Sequence, residues 1–142
     1  MRKKILGSHP EQRGRFEDAL DLAEIATVLV TSEDAAHPIE HAFDSECGPG
    51  ASRWVAGEPG DQWVVLEFDA PQDLRRIVLE IEEREVERTQ ELALSVSKDS
   101  GRTYQEIVRQ EFTFSPRGAT FEREDWTLAV DGVGRLRVWI RP

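Results

Sequence analysis

The sequence has almost no cysteine, and Cys47 is the single one among 142 residues. One thiol cannot form an intramolecular disulfide, which excludes a small scaffold held together by disulfides. The chain also has no apolar run long enough to span a membrane. After Ile5 and Leu6 the N-terminal segment turns polar, so it lacks the apolar region of a secretory signal peptide. We therefore expect a cytoplasmic chain.

An excess of positive charge is missing as well. The chain carries 18 Lys and Arg residues against 28 Asp and Glu residues, for a formal net charge of -10 at pH 7. Such a surface repels phosphate backbones and anionic lipid headgroups, so we expect neither nucleic acid nor membrane as a partner. Hydrophobic residues make up 39% of the chain, with four Trp and six Phe, which is enough to form the core of one domain.

The first segment is predicted to be a helix over about residues 10–25. Ser8 and Glu11 have the spacing of a capping box, in which each side chain binds a backbone N–H group of the first turn. The next apolar positions follow at helical spacing. They are Phe16, Ala19, Leu20 and Ala23. We expect residues 1–25 to form an N-terminal helical extension and residues 26–142 to form the main domain.

After Ile25 the apolar residues alternate with polar ones, which predicts β-strands. Seven segments show this pattern, and they lie at 26–32, 62–68, 75–82, 91–97, 106–114, 125–130 and 135–141. One polar and one apolar face on each strand is typical of antiparallel sheets. Turns are predicted at 115–118 and 130–134, where Pro and Gly or Asp and Gly interrupt the pattern. The fold class predicted is therefore all-β, an antiparallel β-sandwich of the jelly-roll type with a short N-terminal helix.

Two segments invite a catalytic interpretation. The segment HPIEH begins with His37 and closes with His41, and it matches a zinc-protease pattern. Pro38 pushes the residue before it out of the helical region, so we expect a single helical turn that begins after His37 rather than a metal-binding helix. Cys47 lies between Glu46 and Gly48, without the electropositive surroundings that activate a thiol. We therefore expect that the protein is not an enzyme.

The segment Ser97 to Tyr104 fits the pattern S-x-D-x-G-x-T-aromatic and resembles the Asp-box, a hairpin-turn motif. Its physical basis is local. Asp99 can accept hydrogen bonds from turn amides, and Gly101 can adopt a positive φ that other residues resist. We predict that this motif is structural.

The last strand presents an outward row of basic and aromatic side chains in an acidic protein. The row consists of Arg135, Arg137, Trp139 and Arg141. Two interpretations stay open. The row can bind an anionic partner with stacking on Trp139. Alternatively, its arginines pair with glutamates of neighbouring strands, and the N-terminal helix covers Trp139.

Four segments together resemble one family. They are AFDSECGPGASRW at 42–54, QWVVLEFDAPQDLRRIVLEI at 62–81, ELALSVSKDSGRTYQEIV at 91–108 and RLRVWIRP at 135–142. In this order they are similar to the coagulation factor 5/8 type C family, also called discoidin, which has the galactose-binding-like jelly-roll fold. The resemblance covers about residues 26–142.

This resemblance implies a non-catalytic binding module whose ligand lies against loops at one end of the sandwich. Members of the family bind glycans, phospholipid headgroups or other proteins. The function expected here is carbohydrate binding, with an intracellular protein–protein interaction module as the alternative. Sugar recognition in the family uses polar side chains of the end loops. The positions that match by residue type and region are Glu33, His37, Arg53, Glu58 and Arg117.

Many glycan-binding members of the family also hold a structural calcium ion. Asp44 matches the aspartate of the family's calcium loop, Ser52 matches a Ser or Thr near it, and Trp54 matches a core tryptophan. The chain departs from the family at Ser45, where glycine is usual, and in its last strand, which lacks the family's glutamate. Calcium needs six to eight oxygen ligands. The expectation is that no cofactor is required and that calcium is an option at Asp44 and Ser52.

Overall fold

The structure, a computed structural model, describes residues 20–44 and 47–142. Its elements are α1 (Leu22–Ile25), β1 (Ala26–Val30), a 3-10 turn (Ile39–Ala42), β2 (Gln62–Glu82), β3 (Arg88–Ser97), β4 (Gln105–Phe114) and β5 (Phe121–Arg141). The strands are ordered β1-β2-β5-β3-β4 in one sheet, and every neighbouring pair is antiparallel. No helix in the described part of the chain is long and apolar enough to cross a membrane.

The structure joins predicted strands in two places. Residues 62–68 and 75–82 belong to one strand, β2, and residues 125–130 and 135–141 belong to another, β5. The prediction of a chain-reversing turn at 130–134 is therefore wrong. The ladder between β2 and β5 shifts register several times between Glu67 and Arg76, so both strands bend without ending.

Contacts between the two bends hold them together. The backbone N–H of Gly132, a residue with φ +68°, donates to Asp73 Oδ1 at 2.9 Å. Arg75 forms an ion pair with Asp131 at 2.6 Å. A positive φ suits glycine, because it has no Cβ to clash with the backbone. Gly132, which the sequence pattern assigned to a turn, thus allows a bend within a continuous strand.

The bend folds the sheet into two packed layers. One layer contains β1, β3, β4 and the halves of β2 and β5 at 62–68 and 135–141. The other layer is a ribbon in which residues 72–82 pair with 121–133. Ribbon side chains such as Ile77, Leu79 and Trp126 pack against the buried side chains of β3 and β4. This architecture confirms the predicted all-β antiparallel sandwich.

The alternation in the sequence identified the core faces. The inward positions of 62–68, which are Gln62, Val64, Leu66 and Phe68, are all buried. Leu92, Leu94 and Val96 of β3 are 1% exposed, and Phe114 of β4 is fully buried. Burying a side chain of this size contributes roughly 1.5–3 kcal/mol of transfer free energy, so these residues dominate the stability of the sandwich.

The N-terminal prediction is tested only at its end. Helix α1 covers Leu22–Ile25, the last residues of the predicted helix over 10–25. The capping residues Ser8 and Glu11 lie outside the described residues. The division into an extension at 1–25 and a domain at 26–142 stays a prediction.

Three connections meet at one end of the sandwich. Strand pairing places the end of β1 beside the start of β2, and Gln62 opposite Ile140 near the end of β5. Arg88 at the start of β3 is opposite Phe114 at the end of β4. The connections at 31–61, 83–87 and 115–120 therefore lie at the same end, which we call the loop end.

Candidate ligand-binding site

The long connection at 31–61, called here the long loop, is attached to the sheet through one buried amide. The side chain of Gln62 is 5% exposed in relative terms. Its Oε1 accepts from the hydroxyls of Thr31 at 2.6 Å and Ser32 at 2.7 Å. Its Nε2 donates to the carbonyl oxygens of Glu58 at 3.0 Å and Gly60 at 3.3 Å. Gln62 thus ties both ends of the long loop to the start of β2.

Trp54 joins the two arms of the long loop. The first arm is the part that precedes the loop tip at Gly48 and Gly50, and the second arm is the part that follows it. Its Nε1 donates to the carbonyl oxygen of Ser32 at 3.0 Å, and its side chain is partly buried rather than fully buried. Beside it, the N–H of Asp34 donates to the carbonyl oxygen of Val55 at 2.8 Å, and the N–H of Val55 donates to that of His37 at 3.1 Å. Backbone hydrogen bonds therefore fix the arms relative to each other.

Glu33 and His37 lie in the first arm, and each makes a local hydrogen bond. Glu33 Oε2 accepts from the N–H of Ile39 at 2.8 Å, which satisfies a backbone donor at the start of the 3-10 turn. His37 Nδ1 lies 2.8 Å from Asp34 Oδ2. This hydrogen bond holds the pKa of Asp34 below its usual value. A carboxylate can only accept, so Nδ1 carries the proton and Nε2 is the acceptor of the neutral ring.

The remaining predicted ligand residues are exposed. Arg53 and Glu58 lie in the second arm of the long loop, and the Glu58 backbone is held by Gln62. Arg117 lies in the turn that follows β4, where the N–H of Gly118 donates to the carbonyl oxygen of Ser115 at 2.9 Å. The structure therefore places Arg117 at the same end of the sandwich as the long loop. The predicted turn at 115–118 is confirmed.

The two predicted metal ligands are in direct contact. The hydroxyl of Ser52 donates to Asp44 Oδ2, and both residues are exposed. Among residues 20–44 and 47–142, no group of three or more His, Cys, Asp or Glu side chains could hold a metal ion. Calcium takes six to eight oxygens. Asp44 and Ser52 supply at most three side-chain oxygens, so they do not make a calcium site by themselves.

Two glutamates of the ribbon layer hold the tip of the long loop. The N–H of Gly48 donates to Glu80 Oε1 at 2.8 Å, and the N–H of Gly50 donates to Glu82 Oε2 at 3.0 Å. Arg84 adds an ion pair to Glu82 at 3.1 Å. Both glycines have positive φ values, of +93° and +81°. The tip is thereby held against the second layer by charge-assisted hydrogen bonds.

The Asp-box-like segment forms the turn between β3 and β4, as predicted. Asp99 Oδ1 accepts from the N–H of Thr103 at 2.9 Å and from the hydroxyl of Ser97 at 2.8 Å. The hydrogen bonds from Thr103 and Ser97 lower the pKa of Asp99 to about 2. Gly101 has φ +86°, and its N–H donates to Ser97 Oγ at 2.8 Å. The motif is structural and lies at the end of the sandwich opposite the loop end.

The basic row of β5 is partly neutralised. Arg135 forms an ion pair with Glu67 of β2 at 2.7 Å, which agrees with the interpretation that arginines of this row pair with glutamates of neighbouring strands. Arg137 stacks over the ring of Tyr104 at 3.9 Å. Trp139 Nε1 donates to Asp61 Oδ2 at 3.1 Å. Whether the N-terminal segment covers Trp139 falls outside the described residues.

A family model supports the resemblance of the sequence segments. The model for the F5/8 type C domain matches residues 27–130, which is more than half of the chain. The chain belongs to the F5/8 type C family. No curated protein matches the chain significantly in sequence.

Solved structures share the fold of this F5/8 type C chain at low identity. A pectin-binding carbohydrate-binding module is 20% identical, with 83% of this chain and 79% of that chain covered and a TM-score of 0.56. The module CpGH89CBM32-5 of Clostridium perfringens, solved with GalNAc-β-1,3-galactose, is 16% identical, with 88% and 89% covered and a TM-score of 0.56. The CBM32-1 and CBM32-2 domains of Clostridium perfringens ZmpB are 19% identical, with 84% of this chain and 32% of that chain covered and a TM-score of 0.59. At these identities the likeness shows the fold alone.

Sequence reasoning missed several residues that build the loop end of this F5/8 type C chain. Gln62 carried a signal, because it is the one polar residue on the inward face of 62–68. Asp34 also carried one, since it precedes His37 by three residues in a turn-forming segment. Glu80 and Glu82 had no such signal. Their partners at Gly48 and Gly50 are about 30 residues away in sequence and come close only in the folded chain.

Proposed function

We propose that this chain is a carbohydrate-binding module that recognises a glycan at the loop end. The observation that carries the proposal is the long loop itself, which is fixed by Gln62 and Trp54 and presents polar side chains outward. A preorganised loop loses little conformational entropy when a ligand binds. Membership of the F5/8 type C family and a fold shared with glycan-bound modules support the proposal.

The chemistry of the long loop suits sugar hydroxyls, which donate and accept hydrogen bonds at once. Asp34 holds Nδ1 of His37, which leaves Nε2 to hydrogen-bond a sugar hydroxyl. Arg53 offers several N–H donors in a planar fork. One carboxylate oxygen of Glu33 accepts the hydrogen bond from the N–H of Ile39, and the other oxygen can accept one from a ligand. A mixture of donors and acceptors in one loop gives both orientation and specificity.

We propose that this binding is not coupled to catalysis. The carboxyl groups with a resolved shift among the described residues are Asp34, Asp99 and Asp125, and each has a lowered pKa. In each case the main cause is a hydrogen bond from a neighbouring side chain. General acid–base catalysis at neutral pH needs a pKa near 7, so these shifts lead away from catalysis.

The test is calorimetric titration of the purified chain with a panel of neutral glycans. We expect a dissociation constant in the micromolar to millimolar range for at least one glycan, and a loss of about tenfold or more in His37→Ala and Arg53→Ala. Arg75→Ala is the control, because Arg75 is exposed and lies at the bend of β2, away from the loop end. A panel without a single binder contradicts the proposal, as does unchanged affinity in both loop variants.

A further inference from the structure

The outer face of the five-stranded layer carries a row of side chains that crosses four strands. Trp63 of β2 is directly opposite Trp139 of β5, which is opposite Ala93 of β3, which is opposite Arg109 of β4. Trp63 is 38% exposed, whereas Ala93 is 4% exposed. A small residue between a tryptophan and an arginine leaves a depression floored by the sheet. We call this surface the outer-face depression.

The outer-face depression has the size of a single small ligand group. Its volume is about 240 Å³, just below the roughly 300–1,000 Å³ that is usual for pockets of small molecules. Its lining consists of Trp63, Ala93, Ser95, Glu106, Arg109, Arg137 and Trp139. Trp139 is fixed in place, because its indole N–H donates to Asp61. The depression therefore has an aromatic wall, a hydroxyl on its floor, two guanidinium groups and one carboxylate, which is paired with Arg109.

The two guanidinium groups differ in their partners. Arg109 is neutralised by Glu91 and Glu106, each at 2.6 Å, and lies over the Trp139 ring at 5.3 Å. Arg137 stacks on Tyr104 and has no ion pair with another described residue. Stacking uses the face of the guanidinium and leaves its N–H edge to bind in the plane. In a chain of net charge -10, this edge is a local site for an anion.

We infer that the outer-face depression binds a sugar acid, with one pyranose ring against Trp63 and its carboxylate paired with Arg137. A carboxylate matches the N–H edge of a guanidinium in a bidentate geometry. The apolar C–H face of a sugar ring covers an exposed indole and removes apolar surface from water. The Ser95 hydroxyl of β3 lies on the floor beside Arg137, the residue opposite it on β5. This site is separate from the loop end, and it stands whether or not the loop end binds a glycan.

The experiment uses the trimer of galacturonic acid as the probe and its methyl ester as the uncharged match. NMR titration of the ¹⁵N-labelled chain follows the indole N–H signals of Trp63 and Trp139. We expect both signals to shift with the acid trimer, and we expect the ester to bind at least tenfold more weakly. Raising the salt concentration from 0.05 to 0.5 M should weaken binding of the acid several-fold, because Arg137 is partly exposed.

Variants locate the site. Arg137→Gln should weaken binding of the acid trimer at least tenfold, whereas the control Arg75→Gln removes the same charge elsewhere and should stay within twofold. Equal binding of acid and ester overturns the inference, and so does the absence of any shift at Trp63. If Arg53→Gln abolishes binding while Arg137→Gln keeps it, the sugar acid lies at the loop end. That result overturns the inference and leaves the proposed function standing.

Discussion

Gln62 buries a primary amide that meets two donors and two acceptors at once. An amide is the only neutral side-chain group that can accept twice and donate twice in this geometry. Its hydrogen bonds connect the hydroxyls at the start of the long loop with the carbonyls at the end. At the residue scale, the shape of the loop end thus depends on one side chain that belongs to the core of the sheet.

Replacing Gln62 should therefore cost more than its size suggests. We expect Gln62→Leu to lower the free energy of unfolding by about 2–4 kcal/mol, because the hydroxyls of Thr31 and Ser32 lose their buried acceptor. Urea denaturation measures this loss. Gln72→Leu is the matched control, since the Gln72 amide bonds, among the described residues, only to the nearby carbonyl oxygen of Ala70. It should change the unfolding free energy by less than about 1 kcal/mol. Equal effects of the two variants would contradict the role of Gln62.

The lowered pKa of Asp99 predicts that the stability of the folded chain decreases at acidic pH. Its pKa in the folded chain is about 2, below the ordinary value of 3.8, so the folded state favours the ionised form. This contribution to stability is complete above about pH 4 and is lost as the pH falls toward 2. Asp99→Asn lacks the titrating group, so its unfolding free energy should fall less than that of the wild type between pH 4 and pH 2.

The measurement is urea denaturation of both proteins at several pH values in that window. Lys98→Gln serves as the control, because it changes a charge in the same turn without removing a carboxylate. Its pH profile should match the wild type. Parallel profiles for Asp99→Asn and the wild type would show that Asp99 does not stabilise the turn through its charge.

At the scale of elements, the sequence predicted faces well and strand ends poorly. The alternation in 62–68 and 91–97 is a local property, and each side chain points where the period of two places it. The continuity of β2 and β5 is not local. It depends on Asp73 meeting Gly132, 59 residues away in sequence. A glycine beside an aspartate is also the common signal of a tight turn, so the sequence pattern favoured the wrong interpretation.

The turn between β3 and β4 offers a test at this scale. A Cβ atom on Gly101 would lie 2.7 Å from Arg135 Nη1, and the residue has φ +86°. We expect Gly101→Ala to destabilise the chain by about 1–2 kcal/mol, from backbone strain and displacement of Arg135. Gly118→Ala is the control, because the nearest atom to its added Cβ is 3.7 Å away. Thermal melts of the two variants that coincide would contradict this expectation.

At the scale of the whole molecule, the sequence indicated which segment carries the candidate residues but not what those residues contact. Glu33, His37, Arg53 and Glu58 were chosen by residue type, and the structure places all of them in the long loop. Their partners were not foreseen, since hydrogen bonds such as the one from Ile39 to Glu33 arise from the fold of the loop. The outer-face depression was visible in the sequence only as the basic row of β5. Its other walls come from three further strands.

Calcium is the remaining prediction for the whole molecule. When the free Ca²⁺ concentration is about a hundredfold above the dissociation constant of a structural site, binding adds about 2.7 kcal/mol to the free energy of unfolding. This corresponds to a rise in Tm of roughly 5 to 15 °C. Because Asp44 and Ser52 supply at most three of the six to eight oxygens that calcium takes, we expect melts in excess Ca²⁺ and in EDTA to differ by less than about 2 °C. A shift of roughly 5 °C or more that disappears in Asp44→Ala would establish the calcium site that the family resemblance implies.

The continuous strands β2 and β5 have a consequence for how the chain folds. They pair from Glu82 with Phe121 to Gln62 with Ile140, interrupted only at the bend between Glu67 and Arg76, so the closing contacts join residues far apart in sequence. Contacts of this kind require a large loss of chain entropy before they return any energy, which makes folding slow. Since the same two strands run through both layers, neither layer can form alone. The sandwich should therefore fold and unfold as one cooperative unit, and a fragment that ends before residue 135 should remain unfolded.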